Sequence, residues 1–292
     1  VSVVFSFPGK SGDAMLQWPV AYQFGKLTGE NFEVWLDETT CKMVAPLFQA
    51  QPNVSAVKLI SGVENWNCGG QPFHMNLPTS AFEGNTIYHL GLRAFPVRQI
   101  TLQTLNDAKL PFHIHAAALS SEPSIVAEPE RPANRLILHG QGVCPHSKTT
   151  PAFWKFLAGA RHELMDLFDE IVFVGSTDDL EVAAKAYPDW PWLSYADNGD
   201  FLKLAGFIAG SRAMIGCGSA PVVLAGCLKI PAIRVHDEVG NGAPKVIWSN
   251  LGENQLNDTE IGLRTEWPRW RDKWLTEKAV DSAEPATETH AD

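Results

Sequence analysis

The chain has few cysteines, and nothing in their spacing pairs them. Its five, Cys41, Cys68, Cys144, Cys217 and Cys227, are odd in number and scattered over 292 residues, with no C-x-x-C pair and no histidine cluster at zinc spacing. A disulfide scaffold is thereby excluded, and the expectation is a reducing compartment and no metal. Long apolar runs are missing as well. No stretch reaches the roughly 20 residues of a membrane-spanning helix, and the opening run VSVVFSF reads as a strand rather than a signal peptide. We expect a cytoplasmic protein without an integral membrane segment. Basic charge is also in short supply: 23 Lys and Arg against 33 Asp and Glu give a formal charge of -10. That balance lacks the clustered cations of a nucleic-acid footprint, so any phosphate-bearing ligand must be held locally.

What is present is ordinary globular material. Apolar residues make up 45% and charged residues 19%, enough to bury a core, and a prior of roughly 100 to 200 residues per domain divides this length in two. Strand and helix patterns alternate. VSVVFSF at 1–7 precedes a helical spacing of Met15, Leu16, Val20, Phe24 and Leu27 that begins at Asp13. FEVWL at 32–36 precedes a helical stretch at 40–50, and VSAVKLI at 54–60 follows. A long irregular loop at 61–84, a strand TIYHLGL at 86–92 and a helix at 98–110 complete the first half. Residues 120–134, rich in Pro, Ser and Glu, have linker chemistry with one short strand. The second half restarts with RLILHG at 135–140 and a helix from Pro151. EIVFVG, an acidic helix start at Asp178 and Asp179, a helix closed by Gly210, and the run AMIGCG, SAPVVLAGCLKI, PAIRV follow. Trp267, Trp270 and Trp274 share a helical face. We place domains at 1–125 and 126–276 and a disordered acidic tail at 277–292. Consecutive βα units of this kind make parallel sheets.

Three segments could carry chemistry, each where a strand end passes into a helix. PGKSGD at 8–13 offers main-chain N–H groups and a helix start through Gly9, Lys10, Ser11 and Gly12. It is no P-loop, because Val4 stands where a Walker motif needs its first glycine. Asp13, in the first helical turn, has the local chemistry of a cap for an orphan N–H. GCGSAP at 216–221 brings small residues, Gly218, Ser219 and Ala220, to a strand end, where a diphosphate can approach the main chain. HGQGVCPHSK at 139–148 holds His139, Gln141, His146 and Lys148, with no convincing third metal ligand.

In order, these segments resemble the ADP-heptose:lipopolysaccharide heptosyltransferase family, whose GT-B fold sets two Rossmann-like domains face to face. The family's G-D-x-L-x-x-x-P pattern matches Gly12, Asp13 and Pro19 in SGDAMLQWP, with Met15 at the leucine. RLILHGQGVCPHSK resembles its second-domain strand and lysine-bearing turn, with Lys148 at looser spacing. VFVGSTDD puts Gly175 on the first glycine of G-G-x-x-E and Asp179 on its glutamate. At D-S-G-x-x-H-x-A-x-A, Gly218 stands on the aspartate, Ser219 on the serine, Ala220 on the glycine and Val223 on the histidine. The resemblance implies transfer of a sugar from a nucleotide-diphosphate donor to a hydroxyl acceptor, without metal or cofactor. Asp13 would be the general base and residues 9–12 would lie on the acceptor side. His139, Gln141, Lys148, Gly175, Asp179, Gly218, Ser219 and Ala220 would hold the donor. The alternative is a noncatalytic nucleotide- or sugar-binding relative; a sugar-nucleotide epimerase ranks last.

Overall fold

A computed structural model describes residues 2–7, 9–61, 77, 85–89, 123–140, 151–175, 177–186, 193–195, 199–216, 219–236, 255–257 and 271–272. The expected helix at 98–110 and tail at 277–292 lie outside them, as do most of the 61–84 loop and of the tryptophan helix.

The described strands form two parallel sheets. The first contains β1 (Ser2–Phe7), β2 (Phe32–Asp37), β3 (Val54–Ile60) and β4 (Asn85–His89) in the order β3-β2-β1-β4. The second contains β5 (Arg135–His139), β6 (Glu170–Val174), β7 (Leu193–Tyr195), β8 (Ala213–Gly216), β9 (Ala232–His236) and β10 (Gln255–Asn257), in the order β10-β9-β8-β5-β6-β7. Traced from β7, that second order is the doubly wound Rossmann order, and the first sheet repeats its initial four places. Each sheet therefore reverses direction once, between β1 and β4 and between β5 and β8, and ligands of such sheets bind beyond the strand ends at that reversal. The strands β7 and β10 were not expected. Each is three residues long, too short to establish an alternating pattern.

Side chains alternate between two buried faces, as both-sided burial of parallel sheets requires. On the first sheet Phe5 and Phe7 meet α1 (Ser11–Thr28), while Val4 and Trp35 pack with Ile60, Leu77 and Ile87 on the other side. On the second, Ile137, Val172, Val174 and Met214 face α6 (Phe201–Ala209) and α7 (Ala220–Cys227). Leu136, Leu138, Phe173 and Ile215 face α4 (Pro151–Leu167), next to α5 (Thr177–Ala186) in sequence. The helical stretch expected at 40–50 is in three pieces: α2 (Glu38–Cys41), a 3-10 turn (Lys42–Val44) and α3 (Ala45–Gln49). Asp37 starts the first as N-cap, accepting from Thr39 N–H at 3.2 Å. Pro46 falls in the first turn of the last, where its missing N–H is harmless.

The two sheets share one apolar core. It runs from Phe5, Phe7, Trp18 and Phe48 in the first half to Leu204, Ile208, Val222 and Leu224 in the second, through the packing of α1 on α7. Pro19 within α1 explains part of this contact. Lacking an N–H, it leaves the Met15 carbonyl without its helical donor, and Cys227 Sγ of α7 donates there at 3.4 Å. The segment between the halves is pinned rather than loose, and residues 123–134 contain no strand. Trp18 Nε1 donates to Ser124 O at 2.6 Å, Ser124 N–H donates to Cys227 O at 2.9 Å, and the Gln51 amide pairs with both Val126 N–H and Val126 O. Ile125 is buried between them. Among the described residues no helix is long and apolar enough to cross a membrane.

Trp18 is stacked on Phe48 at 4.6 Å and fully buried. Trp18→Phe preserves much of the ring packing but orphans the Ser124 carbonyl. The expected loss is about 1–3 kcal/mol of stability, read from the midpoint of urea unfolding with unchanged slope.

Candidate functional site

The turn after β1 is built around Gly9. With φ of 100° it adopts a backbone that a side chain would strain, and the place of its missing Cβ is taken by Asp13, whose Cβ lies 2.5 Å and Oδ2 2.8 Å from that point. Asp13 is the third residue of α1, and its Oδ2 accepts from Lys10 N–H at 2.9 Å. The capping role expected from the local sequence is therefore present. Gln17, one turn on, donates from Nε2 to the Asp13 carbonyl at 2.9 Å. Burial pushes the Asp13 carboxyl above its ordinary range, opposed by the Lys10 N–H and the Lys10 charge. A raised carboxyl with one oxygen committed to a backbone donor is a stronger base than a solvated aspartate.

Three neighbours hold this turn from the end of β2. Thr40 Oγ1 lies 2.9 Å from Gly9 O and 2.6 Å from Asp37 Oδ2, Cys41 Sγ donates to Gly9 O at 3.4 Å, and Ser11 Oγ donates to Thr40 O at 3.0 Å. Sequence reasoning missed Asp37, Thr40 and Cys41. Their one available signal was DETTC at a strand end, the same type of place as PGKSGD. The Cys41 thiol is pushed up to about 12, chiefly by burial and further by Asp37 and Asp13, and so stays uncharged at neutral pH.

The second turn meets the first directly. A Cβ on Gly12 would lie 3.4 Å from Ala220 Cα and 3.5 Å from Ala220 N, so the starts of α1 and α7 lie within about one methyl group of each other. Ser219 is the N-cap of α7, and its side chain makes no capping bond. Across the reversal between β5 and β8, His139 pairs in register with Gly216, whose missing Cβ would meet His139 O at 2.9 Å. His139 is buried, with Nδ1 2.6 Å from Val174 O; a carbonyl only accepts, so Nδ1 carries the proton. Past Val174, Gly175 lies against Asp179, with Oδ2 3.2 Å from its Cβ position. Gly175 and Asp179 thus repeat, in the second sheet, the arrangement of Gly9 and Asp13 in the first. Asp13, the 9–12 turn, Ser219, Ala220, His139, Gly175 and Asp179 follow one path along strand ends. Gln141, Lys148 and Gly218 lie outside the described residues. Val223 is in the shared core. Among the described residues no group of three His, Cys, Asp or Glu could hold a metal.

By sequence the chain matches no family model and no curated protein. By structure it is similar to E. coli ADP-heptose lipopolysaccharide heptosyltransferase II, with a TM-score of 0.60 over 95% of this chain and 100% of that one, at 12% identity. E. coli heptosyltransferase WaaC, solved with ADP, gives 0.60 over 94% and 100% at 10% identity. The fold is GT-B. A glycosyl transferase family 9 protein from Veillonella parvula gives 0.54 over 99% of this chain and 91% of that one, at 10% identity. At these identities the likeness is one of fold. Within the GT-B frame, the strand-end path described above includes the reversal points of both sheets and continues to the end of β6.

Asp13→Asn retains an acceptor for Lys10 N–H but cannot ionise. A carboxyl with a raised folded pKa binds its proton more tightly folded than unfolded. Its stabilising contribution is complete below the ordinary value of 3.8 and is lost as pH rises through the raised one. The asparagine variant is therefore expected to melt above the parent at neutral pH, with the advantage vanishing in acid. Thermal melts from about pH 3 to 8 check this, and a constant difference across that range would contradict it.

Proposed function

We propose that the chain is a glycosyltransferase that moves a sugar from a nucleotide-diphosphate donor to a hydroxyl acceptor, with Asp13 as general base. The observation that carries this reading is the contact of the Asp13-bearing helix start with the helix start of α7. It sets a half-buried, raised carboxyl beside the small-residue turn where a diphosphate would approach the main chain. Asp13 takes the acceptor hydroxyl proton as that oxygen bonds to the anomeric carbon. The bond from that carbon to the diphosphate breaks, and the nucleoside diphosphate leaves with the electron pair. Main-chain N–H groups after Gly218 and the Lys148 ammonium stabilise the developing negative charge, so the step as written needs no metal. His139 and Asp179 line the donor side, and residues 9–12 the acceptor side. An ADP-sugar is the first donor class to try, since the similar WaaC structure was solved with ADP.

A second reading has an observation of its own. Val223, in the place of the family pattern's histidine, is 2% exposed and packs in the shared core. A polar group is thus missing from α7, which favours a relative that binds the donor without turning it over.

Asp13→Ala is expected to lower transfer by about 10²–10⁴-fold while leaving donor affinity intact, measured by product formation and isothermal titration. Unchanged turnover removes Asp13 from the role of base; donor affinity in the parent with neither transfer nor hydrolysis favours the binding reading. A thermal-shift screen over ADP, GDP, UDP and CMP sugars should single out one class. A donor at a hundred times its Kd adds about 2.7 kcal/mol of stability.

A further inference from the structure

We propose that Thr40, whose hydroxyl proton is shared with Asp37, is a positioning residue for Asp13, acting through the single peptide group that joins Gly9 to Lys10. The carbonyl and N–H of a trans peptide point in opposite directions. Here the carbonyl side, Gly9 O, faces Thr40 Oγ1 at 2.9 Å, and the N–H side, Lys10 N, donates to Asp13 Oδ2 at 2.9 Å. A chain of hydrogen-bonding groups therefore leads from Thr40 Oγ1 through the Gly9–Lys10 amide to the Asp13 carboxylate, with Asp37 Oδ2 as the rival acceptor at its start. A hydrogen bond accepted by an amide carbonyl polarises the amide and strengthens its N–H as a donor.

The peptide is free to serve this way because it is otherwise over-determined. Asp13 Cβ fills the vacant side of Gly9, Cys41 Sγ donates to the same carbonyl, and Ser11 Oγ ties the turn back to Thr40 O. Rotating the peptide would break these contacts together. Thr40 has one hydroxyl proton and faces two acceptors, Gly9 O and Asp37 Oδ2, at 2.9 and 2.6 Å. Its donation to Gly9 competes with its donation to Asp37, so Asp37 sets how strongly the peptide is polarised. Among the described residues Lys10, on its own turn, bears directly on Asp13, while Asp13 and Asp37 each act on the uncharged Cys41 thiol of α2. Lys42 of the 3-10 turn is exposed, and the start of α7 offers the uncharged Ser219 and Ala220.

The consequence for turnover rests on the reading of Asp13 as base; the geometry does not, and the test separates the two. The Asp13 carboxyl of the full chain is titrated by ¹³C NMR, assigned with Asp13→Asn, in the parent, Thr40→Val, Thr40→Ser and Asp37→Asn. Valine keeps the shape of threonine and removes the hydroxyl, weakening the Lys10 N–H that holds the Asp13 pKa down. The Asp13 midpoint is expected at higher pH in Thr40→Val and restored in Thr40→Ser. In Asp37→Asn, which keeps an acceptor for the Thr39 cap and releases the Thr40 proton to Gly9, it is expected at lower pH. With the donor identified, kcat of Thr40→Val falls about tenfold at unchanged donor KM. An unmoved midpoint in Thr40→Val overturns the proposal whatever the turnover. If that variant does not fold, Asp37→Asn decides, an unmoved or raised midpoint overturning it. A moved midpoint in a chain that transfers no sugar upholds the positioning role and rejects the transferase reading.

Discussion

The close approach of α1 to α7 is the constraint on which the rest of the molecule depends. Each helix follows the central strand region of its own sheet, so bringing their starts into contact at Gly12 and Ala220 also brings together the reversal points of the two sheets. A side chain larger than a methyl at Gly12 would press against Ala220 and separate them. Further along the same helices, the Met15 carbonyl left unpaired by Pro19 takes the Cys227 thiol, and Trp18 reaches the Ser124 carbonyl, which is itself joined to Cys227 through its own N–H. Packing of apolar side chains brings the helices together, and these few polar contacts fix their register.

Asp13 works under two demands. Its Oδ2 ties down the N–H of Lys10 and so finishes the start of α1, a structural task that any acceptor could perform. Its burial raises the carboxyl pKa, which adds nothing to capping and costs folding stability at neutral pH. On the proposed role as general base, that cost is the cost of a group held for chemistry. The clamp from Thr40 and Asp37 belongs with this second demand, since α1 is already capped without it.

Much of the fold was legible because strand and helix periodicities alternate clearly. VSVVFSF, FEVWL, VSAVKLI, RLILHG and EIVFVG each coincide with a strand of the parallel sheets. The three-residue strands were not, since a period of two cannot be recognised in three positions. On the site, Gly9 and Asp13 could be read because they are partners of each other only four residues apart. Asp37 and Thr40 could not, because Thr40 meets Gly9 from 31 positions away and only the pairing of β1 with β2 brings it there. The anchoring of the linker was not legible for a related reason. Its Pro, Ser and Glu content describes solvent-exposed chain, but the anchors are backbone groups of Ser124 and Val126 and the one apolar residue Ile125, whose partners on α1, α7 and Gln51 are distant in sequence.

The shared core also bears on how the protein comes apart. Two lobes joined only by a tether can melt in two steps and survive being cut at the tether. Here Trp18, Phe48, Leu204 and Val222 belong to one apolar cluster, and severing the segment at 123–126 would leave α1 and α7 each with a bare hydrophobic face. Loss of order in either sheet would expose the face of α1 or α7 that the other covers, so the two halves are expected to unfold as coupled units.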